Sequence, residues 1–165
     1  MKVTSTSGKS LIKHYESLHD GDLSVIGLQP KKCPAGIWTI GWGHALRKSN
    51  GEWITNFSDI KKYWPEYLTI NEEKANELLD ADLNLYESKV NSLDMFFTQN
   101  QFDAIVSFSY NCGFASFKGS TLFKRIFSGV GDIAEAFGMW NKVDGEPVRG
   151  LTLRRESEAE LYLTV

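Results

Sequence analysis

The chain has 165 residues, enough for one domain or for two small lobes, and its composition is that of an ordinary globular protein. A formal net charge of −3 gives no basic footprint for nucleic acid. The N-terminus lacks the apolar run of about 7 to 15 residues that a secretion signal needs, which predicts a cytoplasmic origin and no stable membrane association.

Two cysteines and three histidines without ligand spacing are too few for a zinc site or a disulfide framework. We therefore expect no metal and no cofactor. A bridge between Cys33 and Cys112 stays open as an alternative, although a reducing compartment favours free thiols, and a buried thiol is the default for Cys112.

The first predicted element is a helix that Ser7 caps and that ends near His19. Its apolar residues form one stripe: Leu11, Ile12, Tyr15 and Leu18. Glu16 lies at the edge of this stripe, where core meets solvent, and a carboxyl group at such a border is suited to act as a general acid. A solvated surface glutamate is the more common alternative.

Glycines and a proline in residues 20–32 predict a loop. The following segment GIWTIGWGH alternates β-branched and aromatic residues between glycines, which predicts a strand with tight bends and hence a small sheet. Thr39 lies inside this strand, and Cys33 precedes it by six positions. A threonine chosen for strand propensity and a small packed cysteine are the structural alternatives.

Residues 48–67 predict an irregular connection with one short helix, after which a capping box of Thr69 and Glu72 opens a long helix. Further helices are predicted at 99–110, 120–127, 132–141 and 153–163. The predicted fold is α+β: an N-terminal lobe of about residues 1–68 with a short β-sheet, a connecting helix of about 70–91, and a helical C-terminal lobe of about 92–165. We expect a ligand cleft between the lobes.

The chain contains, in order, the segments HYESL, CPAGIWTIGWGH, QFDAIVSFSYNCG and GSTLFKRI, followed by Trp140 and GLTLRRESE. Together they resemble the phage lysozyme or endolysin family, glycoside hydrolase family 24, which includes the T4-type and lambdoid muramidases. The resemblance covers about residues 8–160. It implies a lysozyme-like fold and hydrolysis of the β-1,4 bond between N-acetylmuramic acid and N-acetylglucosamine in peptidoglycan.

The catalytic pattern of that family is a glutamate, eight residues, an aspartate or cysteine, five residues and a threonine. Five residues separate Cys33 from Thr39, so the resemblance assigns Cys33 to the aspartate-or-cysteine position and Glu16 to the acid. Sixteen residues lie between Glu16 and Cys33, which implies an insertion of about eight within residues 20–32. We favour an insertion that loops outward over one in which Asp20 or Asp22 supplies a second carboxylate, because aspartate is common in turns.

The resemblance implies that protonated Glu16 donates to the glycosidic oxygen while Cys33 and Thr39 orient a water molecule. Because a thiol is mostly protonated at neutral pH, water positioning is the favoured role of Cys33. A covalent thioglycoside through Cys33, with retention of configuration, stays open.

Other motif residues receive supporting roles by resemblance. Tyr110 corresponds to an aromatic contact with the sugar chain and Ser120 or Thr121 to a hydroxyl contact, with capping or core packing as the alternative for each. His44 is expected to pair with an acid. Lobe packing and ion pairs are assigned to the remaining positions: Trp140, Arg154, Arg155 and Glu156.

The leading hypothesis is a monomeric endolysin of a phage or prophage that acts on bacterial peptidoglycan glycan strands. It would stay in the host cytoplasm until a holin lesion releases it to the periplasm and cell wall. Two alternatives remain open: a non-catalytic peptidoglycan-binding or phage structural module, and a lytic transglycosylase, which needs a catalytic acid but no activated water.

Overall fold

The computed structural model describes residues 1–16, 28–33 and 35–164. Its helices are α1 Thr6–Glu16, α2 Phe57–Tyr63, α3 Glu72–Asn91, α4 Gln99–Cys112, α5 Phe114–Gly119, α6 Thr121–Ser128, α7 Ile133–Gly138 and α8 Arg149–Leu163, with a 3-10 turn at Pro65–Leu68. Its strands are β1 Lys31–Lys32, β2 Trp38–Ile40, β3 His44–Ala45, β4 Lys142–Val143 and β5 Glu146–Pro147. The predicted α+β class is confirmed. Within the described ranges no helix has a stretch apolar and long enough to span a bilayer.

The chain divides into two compact units, one of Met1–Tyr15 with Leu83–Val165 and one of Glu16–Asp82. The predicted N-terminal lobe, about residues 1–68, instead includes the first residues of the chain together with the sheet. Helix α1 explains the difference, because its residue Gly8 lies against α4 of the mainly helical unit. A Cβ added at Gly8 would be 2.7 Å from the carboxyl carbon of Asp103.

The smaller unit is built on an antiparallel sheet with the strand order β1-β2-β3. Thr39 in β2 lies opposite Lys31 on one side and Ala45 on the other. The bend between β2 and β3 requires Gly41, whose φ is +60° and whose position would bring a Cβ to 3.1 Å from that of Ala75. The predicted strand with tight bends is therefore confirmed. The short helix predicted after it is also confirmed, as α2.

Helix α3 closely matches its predicted extent, but two predicted caps are wrong. Asn71, not Thr69, caps α3, because its Oδ1 accepts an N–H three residues later at 2.8 Å. Ser5, not Ser7, caps α1, because its Oγ accepts the N–H of Gly8 at 3.3 Å. In each case several cap-forming residues are adjacent, and the backbone selects one of them. The predicted end of α1 near His19 lies outside the described residues.

The helical unit is organised around α4, in which every residue from Phe102 to Ser109 is buried. The ring of Phe108 makes edge-on contacts at 5.4–6.0 Å with three other rings: Phe117, Phe137 and Trp140. The four helices predicted after residue 98 correspond to α4, α6, α7 and α8. Helix α5 and the β4–β5 hairpin were not predicted.

A buried ion cluster fixes α8 against α4. Glu158 is 0% exposed, and its carboxylate lies 3.2 Å from Arg154 Nε and 3.0 Å from Arg155 Nε. The Ser107 hydroxyl donates to it at 2.7 Å. Burial raises the pKa of Glu158, and the two guanidinium groups oppose that shift. The expected ion pairs of the two arginines exist, but their acid is Glu158, since Glu156 is exposed.

We predict that Glu158→Gln lowers the free energy of unfolding by about 3–5 kcal/mol, because two buried guanidinium groups lose their counter-charge. Urea unfolding followed by circular dichroism measures this. Glu156→Gln is the matched control and should change stability by no more than about 0.5 kcal/mol. Equal unfolding midpoints for the two variants would contradict the role of the cluster.

Candidate active site

Cys33 forms the last pair of the β1–β2 hairpin. Its N–H donates to the Ile37 carbonyl at 2.8 Å, and its carbonyl accepts the Gly36 N–H at 2.8 Å. Gly36 has a φ of +79°, a left-handed conformation typical of the residue that closes a three-residue hairpin loop. The backbone of Cys33 is thus held on both sides.

The pairing register places Cys33 and Thr39 on one face of this hairpin. Directly opposed residues share a face, and Thr39 pairs with Lys31, so Cys33 opposite Ile37 lies one step along the same face. Such diagonal neighbours are roughly 7–8 Å apart. The spacing of five residues is therefore the spacing that brings a thiol and a hydroxyl together across a tight hairpin.

The Thr39 hydroxyl has a defined orientation. The side chain is 5% exposed, and its Oγ1 donates to the Lys31 carbonyl at 3.0 Å. A threonine hydroxyl has one proton, so with that proton engaged the oxygen offers only lone pairs to a further ligand. The group is thereby prepared to accept a hydrogen bond from a water molecule.

Glu16 is the last residue of α1, is half-buried, and belongs to the same compact unit as Cys33 and Thr39. Of residues 20–32, within which the insertion is predicted, only residues 28–32 are described by the structure. Asp20 and Asp22, the alternative second carboxylates, therefore lie outside the described residues. The structure places Cys33 and Thr39 on one face of the hairpin, and Glu16 lies half-buried in the same compact unit.

His44 pairs with an acid, as predicted. Its Nδ1 lies 2.9 Å and 3.0 Å from the two carboxylate oxygens of Asp82 in α3. The Tyr67 ring meets the imidazole edge-on at 6.4 Å. These contacts give His44 a structural role between β3 and α3. Asp82 was missed because a contact 38 positions away leaves no local sequence signal.

The three residues assigned to sugar contacts lie in the helical unit. Tyr110 is half-buried near the end of α4, with its ring edge-on to Tyr86 at 5.5 Å. Ser120 is 5% exposed and caps α6, donating to the Phe117 carbonyl at 2.6 Å while accepting a backbone N–H. The Thr121 side chain is exposed. The Ser120 hydroxyl both donates and accepts within the helical segment, so Thr121 is the better placed of the two hydroxyl candidates to contact a ligand.

Both cysteines are free, so the bridge left open by the sequence is not formed. The Cys112 sulfur lies 2.8 Å from Arg155 Nη1. Burial raises the pKa of the Cys112 thiol more than the neighbouring guanidinium lowers it. Within the described part of the chain no group of three or more His, Cys, Asp or Glu residues could hold a metal ion.

The sequence profile of the family described as phage lysozyme matches residues 24–158. This range contains Cys33 and Thr39 and leaves Glu16 outside. The endolysin of Acyrthosiphon pisum secondary endosymbiont phage 1 is 34% identical over 166 residues, which cover 96% of this chain and 96% of that protein.

A second relative is longer. The endolysin of Bacillus phage B103 is 35% identical over 162 residues, which cover 97% of this chain and 54% of that protein. The chain thus spans about half the length of that relative and nearly all of the first. Among solved structures, the muramidase domain of SpmX from Asticaccaulis excentricus is 32% identical, with a TM-score of 0.76 and complete coverage of both chains.

We predict slow alkylation of Cys112 at pH 7.5, because the reactive thiolate is disfavoured by burial. In a Cys33→Ser variant, iodoacetamide should modify the folded chain about tenfold more slowly than the same chain in urea. Raising the pH to 10 should bring the two alkylation rates closer together, because more of the folded chain's Cys112 is then thiolate. Mass spectrometry measures the rates, and equal rates at pH 7.5 would contradict the assignment.

Proposed function

This chain belongs to the phage lysozyme family and is a muramidase, a glycoside hydrolase that acts on peptidoglycan, and we propose that Glu16, Cys33 and Thr39 perform the cleavage. The bond broken is the β-1,4 link between N-acetylmuramic acid and N-acetylglucosamine. The orientation of the Thr39 hydroxyl is the observation on which the proposed mechanism depends.

Thr39 and Cys33 act on the attacking water. Because the Thr39 proton is donated to the Lys31 carbonyl, a water molecule at this site donates one hydrogen to Thr39 Oγ1. A lone pair of the water is then free to attack the anomeric carbon as the bond to the glycosidic oxygen breaks. The proton that the water loses passes to solvent, while Glu16 supplies the proton of the leaving oxygen. The Cys33 sulfur, on the same hairpin face, provides a second contact that restricts the water to one orientation, an arrangement that lowers the entropic cost of attack.

Glu16 acts as the general acid. Departure of the sugar alcohol through an oxocarbenium-like transition state requires a proton on the glycosidic oxygen, and the half-buried carboxylic acid of Glu16 can deliver it. Cys33 and Thr39 are assigned to the attacking water, so Glu16 is the residue of the three that protonates the leaving oxygen. Glu16 is therefore the residue whose loss should be most damaging.

Tyr110 and Thr121 are proposed contacts with the glycan strand. A half-buried tyrosine can place its ring against a sugar face and retain a polar edge. Thr121 offers an exposed hydroxyl at the start of α6. Ser120 supports this position indirectly by capping the helix.

The biological role we propose is host lysis by a monomeric endolysin. The curated relatives described above are phage endolysins, which supports action at the cell wall. We propose that the chain accumulates in the host cytoplasm and reaches peptidoglycan when a holin opens the membrane. Binding of the chain to wall-free membranes is not part of this route.

We predict that Glu16→Gln reduces the rate of sacculus hydrolysis by about 100- to 10,000-fold, the range of a lost general acid. Turbidity loss of purified Gram-negative sacculi measures the rate. Glu66→Gln, which removes a carboxylate at an exposed position of the same unit, is the control and should retain the wild-type rate. Undiminished clearing by Glu16→Gln would refute the assignment of the acid.

We predict that Thr39→Ser retains most activity, whereas Thr39→Val loses about 10- to 100-fold because the water has no acceptor. Valine has the same shape, so thermal unfolding should show that both variants fold. Hydrolysis rates on sacculi are compared at one temperature well below unfolding. Equal rates for the serine and valine variants would exclude a water-orienting hydroxyl.

A further inference from the structure

The β1–β2 hairpin has a second face with different chemistry. Lys32 lies opposite Trp38, and its Nζ is 5.9 Å from the indole centroid. The Trp38 ring contacts Phe57 of α2 at 5.1 Å, and Lys61 Nζ lies 5.5 Å from the Phe57 ring. We name these four residues the Trp38 patch. It is a continuous row in which two aromatic rings lie between two ammonium groups.

The aromatic part of the Trp38 patch is fixed and accessible. The indole Nε1 donates to the Thr55 carbonyl at 3.2 Å, so its only donor is satisfied and the ring is held in place. Phe57 opens α2 and is 41% exposed, whereas Ile60 of the same helix is fully buried. Ile60 therefore packs in the core, and much of the Phe57 ring lies in solvent.

The charge around the patch is positive. Four exposed lysines lie on β1 and α2: Lys31, Lys32, Lys61 and Lys62. None of them forms a salt bridge with a carboxylate among the residues that the structure describes. The nearby acids Glu52 and Asp59 are both engaged by Lys48, at 3.5 Å and 3.4 Å. An anionic ligand would thus meet unpaired ammonium groups.

We propose that the Trp38 patch is a second, non-catalytic binding surface for a peptidoglycan glycan strand. The rings of Trp38 and Phe57 pack on sugar faces, and Lys32 and Lys61 pair with carboxylates of the lactyl-peptide substituents. The proposal rests on the peptidoglycan substrate of the proposed function.

In this proposal, the two faces of the β1–β2 hairpin bind different glycan strands. Consecutive residues of a strand point to opposite faces, so Trp38 and Thr39 cannot contact the same segment of one glycan strand. The Trp38 patch therefore engages a neighbouring strand of the network. Such a contact keeps the enzyme on the sacculus between successive cleavages, and it weakens with salt because its charged groups are exposed.

The test is co-sedimentation with purified sacculi, using Glu16→Gln protein so that binding is measured without turnover. In this background, Lys32→Gln/Lys61→Gln is compared with Lys124→Gln/Lys142→Gln, which removes the same charge from exposed positions of the other unit. The patch variant should bind about three- to tenfold more weakly than the control, with a smaller salt dependence.

Equal binding by the two double variants overturns the proposal. A second arm uses phosphatidylglycerol vesicles: if the patch variant loses vesicle binding but keeps sacculus binding, the surface recognises lipid and the proposal is wrong. Hydrolysis by the wild-type chain is measured separately. Failure of the proposed function removes turnover, whereas failure of this inference leaves turnover intact and removes only the difference in binding.

Discussion

The pairing register of the β1–β2 hairpin is the constraint on which the proposed chemistry depends. Lys31 opposite Thr39 gives the threonine hydroxyl a carbonyl acceptor, and in the proposed mechanism this bond leaves the hydroxyl oxygen to accept from water. The same register places Cys33 on the face of Thr39 and Trp38 on the other face. A slip of one residue would exchange the two faces, so the proposed catalytic surface and the proposed binding surface are specified together.

Each compact unit has a polar cluster that holds its own elements together. In the sheet unit, Asp82 of α3 holds His44 of β3 through both carboxylate oxygens. In the helical unit, Glu158 holds two arginines of α8 and the Ser107 hydroxyl of α4. These buried or half-buried polar groups contribute specificity of packing, since each has partners at one arrangement of the elements.

Sequence reasoning succeeded where the signal is local and periodic. The long helix α3, the helices α4, α6 and α8, and the glycine-rich strand all have apolar spacing that one conformation satisfies. Short elements such as α5 and the β4–β5 hairpin have too few residues for a period to be visible. Caps were misplaced by two residues because Ser5 and Ser7, or Thr69 and Asn71, are chemically similar candidates.

Contacts between residues far apart in the sequence were the second kind of feature that could not be predicted. The need of His44 for an acid was predicted, but Asp82 could not be named from local pattern. Glu158 could have been found, because it stands three and four positions after Arg155 and Arg154 on one helix, the spacing of side-chain pairs. For the proposed active site, the family resemblance identified Cys33 and Thr39 as a candidate pair. It could not reveal that the Thr39 proton is engaged by Lys31.

Hydrolysis of sacculi in water enriched in oxygen-18 tests the central claim, that the site directs a water to the anomeric carbon. Mass spectrometry should find the label at each new reducing N-acetylmuramic acid, whereas unlabelled 1,6-anhydro products would contradict the account.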